Sequence, residues 1–194
     1  MASILNADIA GGLKATGDTS GVLQIQAGSV TVANIASSGV NAGIQVAPFA
    51  APAFSIQNNG TAQSVSNATW TKVALNTKQF DTNSNFDTTT NYRFTPTVAG
   101  YYQVNGSVRG TATTTFTQFI AMIYKNGSEL IRSQLTASFT AGSNASVPVN
   151  TVVYMNGTTD YLELYGYQYA AATGNVVSAG QFSTFFNAAL VRSA

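Results

Sequence analysis

Residues 91–106, NYRFTPTVAGYYQVNG, leave the backbone few options. Tyr92 and Phe94 open a short alternation, Thr95-Pro96 leaves it, Ala99-Gly100 turns, and Tyr101, Tyr102 and Val104 lead away in a second run. Proline lacks a ladder donor and glycine frees φ, so Pro96 and Gly100 bracket a rigid corner between two strands. The aromatic strand after the corner is expected at the centre of a sheet. Side chains alternate between faces along a strand, so Tyr102 and Val104 oppose Tyr101 and Gln103.

The rest of the chain repeats this pattern. Residues 53–56 (AFSI) form a first strand, Asn58-Asn59-Gly60 turns, and residues 70–75 (WTKVAL) alternate as the next strand. Residues 81–91 (DTNSNFDTTTN) are turn formers apart from Phe86, which is expected to plug an end of the sandwich. Two hairpins are expected around Asn-Gly dipeptides, which favour the tight type I′ turn. One joins residues 119–124 (FIAMIY) through Asn126-Gly127 to Leu130 and Ile131. The other joins residues 152–155 (VVYM) through Asn156-Gly157 to Tyr161, Leu162 and Leu164. Asn105-Gly106 gives the same local signal. No segment shows a helical period of useful length, and the fold class is all-β.

The spacing Phe94, five residues, Gly100, one residue, Tyr102 resembles the signature of the C1q-like domain, a tumour-necrosis-factor-like jelly-roll β-sandwich. Phe86 and Asp81 stand where that family has an aromatic and an Asp or Asn. Residues 181–191 (QFSTFFNAALV) are similar to its closing strand. The sequence departs from the pattern at Leu75, where a Phe is usual, and at Val104 and Gly106, which replace aromatics. One extra residue also separates Phe86 from Phe94. The resemblance implies that Asn105-Gly106 lies inside a continuous strand, with a bulge expected at the glycine. The wording of residues 68–87 resembles bacteriophage virion proteins.

Residues 1–50 have a different character. They hold no aromatic before Phe49 and are dominated by Ala, Gly, Ser and Val. Short β-like runs, Val22-Leu23-Gln24-Ile25-Gln26 and Val30-Thr31-Val32, sit between Gly-rich turns. So little bulky apolar surface cannot fold alone. The segment is either a tail without fixed structure or an arm whose strands add to a neighbouring subunit's edge. The arm is the reading adopted, with Ile4, Leu5, Leu13, Val22, Leu23, Ile25, Val30 and Val32 as its contact residues. Pro48 and Pro52 make a stiff boundary, so residues 1–50 form the arm and residues 51–194 the head.

Composition narrows the chemistry. Charged residues are 8% of the chain, against about 25% in ordinary globular proteins. The net charge is +1 and no basic run occurs, so neither nucleic acid nor an anionic membrane is an expected partner. No apolar stretch approaches the roughly 20 residues that span a bilayer, and the N-terminus lacks a signal peptide's features. Cysteine and histidine are absent, which removes disulfides, thiolate metal sites, a cysteine nucleophile, and the commonest general base and transition-metal ligand. Asp160 and Glu163, three apart on an expected strand, would face opposite ways. Asp81 and Asp87 flank a loop and can serve as ligands for a hard cation, as some C1q-like domains do for calcium; the plainer reading is that they make turns. No enzyme activity and no cofactor are expected.

The remaining feature is surplus aromatic surface. Tyr101-Tyr102 and Phe185-Phe186 are adjacent, so one of each pair must leave the core, and Tyr165 and Tyr167 share a face. C1q-like and tumour-necrosis-factor-like domains are trimers packed through such a face. The resemblance therefore implies a homotrimer in which Tyr101, Tyr102, Tyr165, Tyr167, Phe185 and Phe186 divide between core and interface. The expectation is a non-enzymatic capsid decoration, or cement, protein. It would be made in the host cytoplasm and would sit on the outside of the virion, its arm gripping the major capsid protein or another virion protein. A short fibre or collar protein whose head binds a host surface ligand is the alternative. A free recognition module is a third class.

Overall fold

The computed structural model describes residues 22–27, 30–36, 51–58, 62–170, 175–177 and 183–194, and among them every regular element is a strand. The chain divides into two units, Met1–Ala50 and Ala51–Ala194. In the first, β1 (Val22–Ala27) and β2 (Val30–Ala36) pair antiparallel with each other, with an irregularity between Ile25 and Gln26. The runs containing Val22, Leu23, Ile25, Val30 and Val32 are thus strands whose facing hydrogen-bond groups are used within the chain. Among the described residues β1 and β2 pair with no other strand. Ile4, Leu5 and Leu13 lie outside the described residues.

Among the described residues the second unit holds thirteen strands. They are β3 (Ala53–Gln57), β4 (Gln63–Val65), β5 (Thr71–Lys72), β6 (Thr77–Asp81), β7 (Phe86–Asp87), β8 (Arg93–Phe94) and β9 (Gly100–Thr111). Then come β10 (Phe116–Lys125), β11 (Ser128–Phe139), β12 (Asn144–Met155), β13 (Leu162–Ala170), β14 (Asn175–Val177) and β15 (Phe185–Ser193). A seven-stranded sheet runs β4-β14-β9-β15-β3-β6, with β12 on the other edge of β9. A six-stranded sheet runs β11-β10-β13-β8-β7, with β5 also on β13. The two face each other across one core, a jelly-roll sandwich.

Alternation along β9 builds that core, broken only where the outward Ser107 is also buried. Gly100, Tyr102, Val104, Gly106, Val108 and Gly110 are all buried on one face, whereas Tyr101 on the other is exposed. Phe54 of β3 anchors one end, with ring centroids 4.4 Å from Phe94, 5.1 Å from Phe86 and 5.4 Å from Phe186. Phe86 plugs the end of the sandwich as its isolation among turn formers suggested. Tyr102 adds an edge-on contact to Phe94 at 5.5 Å, and its hydroxyl donates to the Val98 carbonyl at 2.8 Å across the corner. Its phenol is pushed up to about 12 by burial.

Three local expectations need correction. No bulge occurs at Gly106: β9 pairs without interruption there, both with β12 and with β15. The glycine is needed for room, since a Cβ would lie 2.8 Å from Leu164 Cδ1 of the opposite sheet. The run 70–75 is not one strand. Only Thr71 and Lys72 pair, while Val73 and Leu75 drop into the core, and the Gln63 side chain ties down the segment by bonding Lys72 O at 2.7 Å and Ala74 N at 2.9 Å. Asn126-Gly127 does make the tight hairpin, with φ of 53° and 77° and Lys125 paired to Ser128. Asn156-Gly157 does not.

At that second dipeptide the chain changes sheets, because β12 pairs with β9 whereas β13 pairs with β10. Asn156 Oδ1 accepts the amides of Thr158, Thr159 and Asp160 at 2.9 to 3.0 Å. That side-chain turn competes with the hairpin. Gly157 takes φ 71°, and the chain also passes against Ala99, where a Cβ would lie 2.7 Å from Val98 C.

Candidate functional site

The outward positions of β9, β12, β15 and β3 form a broad face with little charge. In register, Tyr154 of β12 lies opposite Tyr101 of β9, and Val152 opposite Gln103. The two tyrosine rings meet edge-on at 5.5 Å, yet they remain 44% and 43% exposed. Val152 is 55% exposed, and so is Val191 at 57%. Val191 projects because the pairing of β15 with β9 slips between Leu190 and Arg192, leaving it the extra residue of a bulge. A cleft of about 580 Å³ lies among Tyr101, Tyr154, Val191, Arg192, Ser193 and Ala194. Single exposed apolar residues are ordinary, whereas these four lie together at one end of the face.

Beyond this aromatic end the same face turns to amides. Asn105 Nδ2 donates to Asn187 Oδ1 at 3.0 Å, and Gln103 Nε2 to Asn105 Oδ1 at 3.3 Å. Phe185 lies half-buried on this face, opposite Ser107. Among the described residues the outward positions of these four strands hold no acid; their charges are Arg109 and Arg192.

The expected aromatic set therefore does not form one surface. Tyr102 and Phe186 are fully buried in the core. Tyr101 and Phe185 belong to the outer face of the seven-stranded sheet. Tyr165 and Tyr167 lie on the outer face of the opposite sheet, half-buried and paired within the chain. Tyr165 stacks on Tyr124 at 4.1 Å, and Tyr167 on Trp70 at 4.4 Å. Burial and the neighbouring Glu163 charge push the Tyr165 phenol up to about 12. The sequence reading did not place Val152, Tyr154 and Val191 beside Tyr101 on one exposed face. Residues 152–155 are apolar on both alternations, the same signal as the adjacent aromatic pairs, but it was absorbed into a hairpin.

The carboxylates are committed to local structure. Asp81 accepts the amides of Asn85 and Phe86 at 3.0 Å each and pairs with Lys78 at 3.0 Å. Asp87 accepts the amides of Thr89, Thr90 and Asn91, which hold its carboxyl well below the usual range. Each makes its own turn, on β6 and β7 of different sheets. Asp160 precedes β13 rather than lying on it. Burial pushes its carboxyl up, but bonds from Asn126 at 2.8 Å, Lys125 at 2.9 Å and the Asn156 amide at 3.0 Å outweigh that and hold it low. Glu163 pairs with Lys72 at 2.5 Å. Among the described residues no three groups of His, Cys, Asp or Glu gather as a metal site.

No protein-family model matches the sequence, and no curated protein matches it either. Solved structures do match the shape. The Eiger TNF of S. frugiperda superimposes with a TM-score of 0.57 at 11% identity, over 74% of this chain and 94% of that one. Murine APRIL gives 0.54 at 12% identity, over 73% of this chain and 99% of that one. The globular domain of zebrafish complement 1qA gives 0.48 at 16% identity, over 74% and 99%. Residues 51–194 have a tumour-necrosis-factor-like jelly-roll fold.

Proposed function

We propose that this chain is a non-enzymatic structural protein that assembles as a homotrimer through the outer face of its seven-stranded sheet, and that it decorates and staples a bacteriophage capsid. The observation that carries the assembly is the uncovered apolar patch of Tyr101, Tyr154, Val152 and Val191 on a face without acids. Burying such a patch between copies is favourable at about 25 cal/mol per Å² of apolar surface. Three copies rather than two follow from the C1q/TNF-like resemblance. The absence of His and Cys supports a non-catalytic role. The virion role rests on the phage-like wording of residues 68–87 and on a small-residue arm ahead of a head.

The test has two parts. Light scattering on residues 53–194 should give three chains, and a monomer at micromolar concentration overturns the assembly. Deleting residues 1–47 should leave a trimer that no longer decorates particles. Particles lacking the protein should then rupture at lower temperature while adsorbing normally. Robust particles that fail to adsorb would instead favour the fibre reading.

A further inference from the structure

The aromatic end of the face and its amide centre differ in what they demand of a partner. Apolar burial is non-directional and tolerates many docking angles, whereas amide hydrogen bonds tolerate few. We infer that the row Gln103, Asn105 and Asn187 is the specificity-determining element of self-assembly: it selects one docking geometry for the second copy and so one closed size. This rests on the self-association reading above.

The row is built into the sheet. Asn105 and Asn187 lie directly opposite each other on β9 and β15, with β12 on one side and β3 on the other. Gln103 extends the row toward β12, its Nε2 lying 3.3 Å from Asn105 Oδ1 and 3.4 Å from the Thr151 carbonyl. Asn105 and Asn187 also line a shallow groove of about 250 Å³, together with the small residues Ala53, Ser55 and Ala189 and the exposed ring of Phe80. A second copy can therefore approach the backbone closely there.

Each primary amide carries two donor hydrogens and two acceptor sites. The bonds from Asn105 to Asn187 and from Gln103 to Asn105 and the Thr151 carbonyl still leave part of this capacity, chiefly the Asn187 amide hydrogens and the Gln103 side-chain carbonyl oxygen, for water in a single chain. A second copy expels that water. Any docking that leaves these groups unmatched then carries their desolvation cost, whereas a docking that matches them does not. The aromatic end drives association, and the amide row discriminates between arrangements. A single buried Asn in an otherwise apolar coiled-coil seam fixes oligomer state by the same logic.

Native mass spectrometry of the full chain tests this. The wild type should be one species of three copies. The near-isosteric pair Asn105→Leu/Asn187→Leu should keep the fold by its melting curve and still associate. It should spread over several sizes, with the non-trimeric fraction rising roughly tenfold. Asn187→Leu alone should shift the distribution in the same direction, and it supplies the answer if the double variant does not fold. A trimeric wild type with variants that stay uniformly trimeric overturns this inference alone. A monomeric wild type overturns the proposed assembly and this inference together.

Discussion

The two outer faces of the sandwich carry similar aromatic residues in opposite situations. On the six-stranded sheet, Tyr124 stacks on Tyr165 and Trp70 on Tyr167, while Ile120 and Met122 are buried beside them and Lys72 reaches across to Glu163. Around these pairs that face is covered from within the chain, while Tyr169 at the far end of β13 stays 53% exposed. On the seven-stranded sheet, Tyr101 and Tyr154 meet edge-on with the Lys125 ammonium 6.0 Å from the Tyr154 ring, and Val152 and Val191 stand open. An aromatic side chain on a strand thus does not declare an interface by itself. What matters is whether a second layer of the same chain reaches it. Residues 70–72 supply that layer on one face.

The sharpest way to break the comparison is within one dipeptide. Tyr102→Ala removes a buried ring and its bond to Val98 and should cost about 3–5 kcal/mol, unfolding the head or sharply lowering its melting point. A shift no larger than that of a surface change would show the register to be wrong. Tyr101→Ala, one residue earlier, should leave chain stability within about 0.5 kcal/mol.

The two faces should then separate by readout. Tyr154→Ala together with Tyr101→Ala should weaken assembly by at least about 2 kcal/mol, measured by light scattering across a dilution series, because open aromatic anchors dominate interfaces. Tyr165→Ala should leave assembly intact but destabilise the chain by about 1–2 kcal/mol, less than a full core truncation because the ring is half-buried. Denaturant melts must be compared at matched concentration, since assembly itself adds stability. Loss of assembly in Tyr165→Ala would invert the assignment of the faces.

Titration should show a smaller effect. With no histidine, melting temperature should be flat between about pH 5 and 8. Asp87 and Asp160 are held below the carboxylate value of 3.8, so their contribution is present above it and is lost as pH falls through the lower folded values. Asp160→Asn should blunt that acid limb. Tyr102 and Tyr165 move the other way, from 10.0 to about 12, so stability present below pH 10 is lost as pH rises through about 12. The smallest effect expected is that of salt. Assembly should change less than about threefold between low and high ionic strength, because the face offers no acid–base pair to screen.

Much of the fold was legible in the residues. Pro96 and Gly100 mark the corner, period-two alternation separates Tyr102 from Tyr101, and Asn126-Gly127 makes a hairpin because both positive φ values are needed only locally. These are properties of a residue and its near neighbours, and a sequence carries them directly. Other features depend on strands far apart in the chain. Asn156-Gly157 has the same local preference, but its flanking strands pair with β9 and β10 in different sheets, so pairing over long sequence separation overrode the turn signal. Gly106 is fixed by Leu164 across the core and Tyr165 is closed by Tyr124, while Val191 is exposed by a slip in pairing with β9. The sequence by itself determined which residues alternate and where the chain can turn. Only the tertiary structure decided which aromatic face stays open, because burial depends on what packs from the rest of the chain.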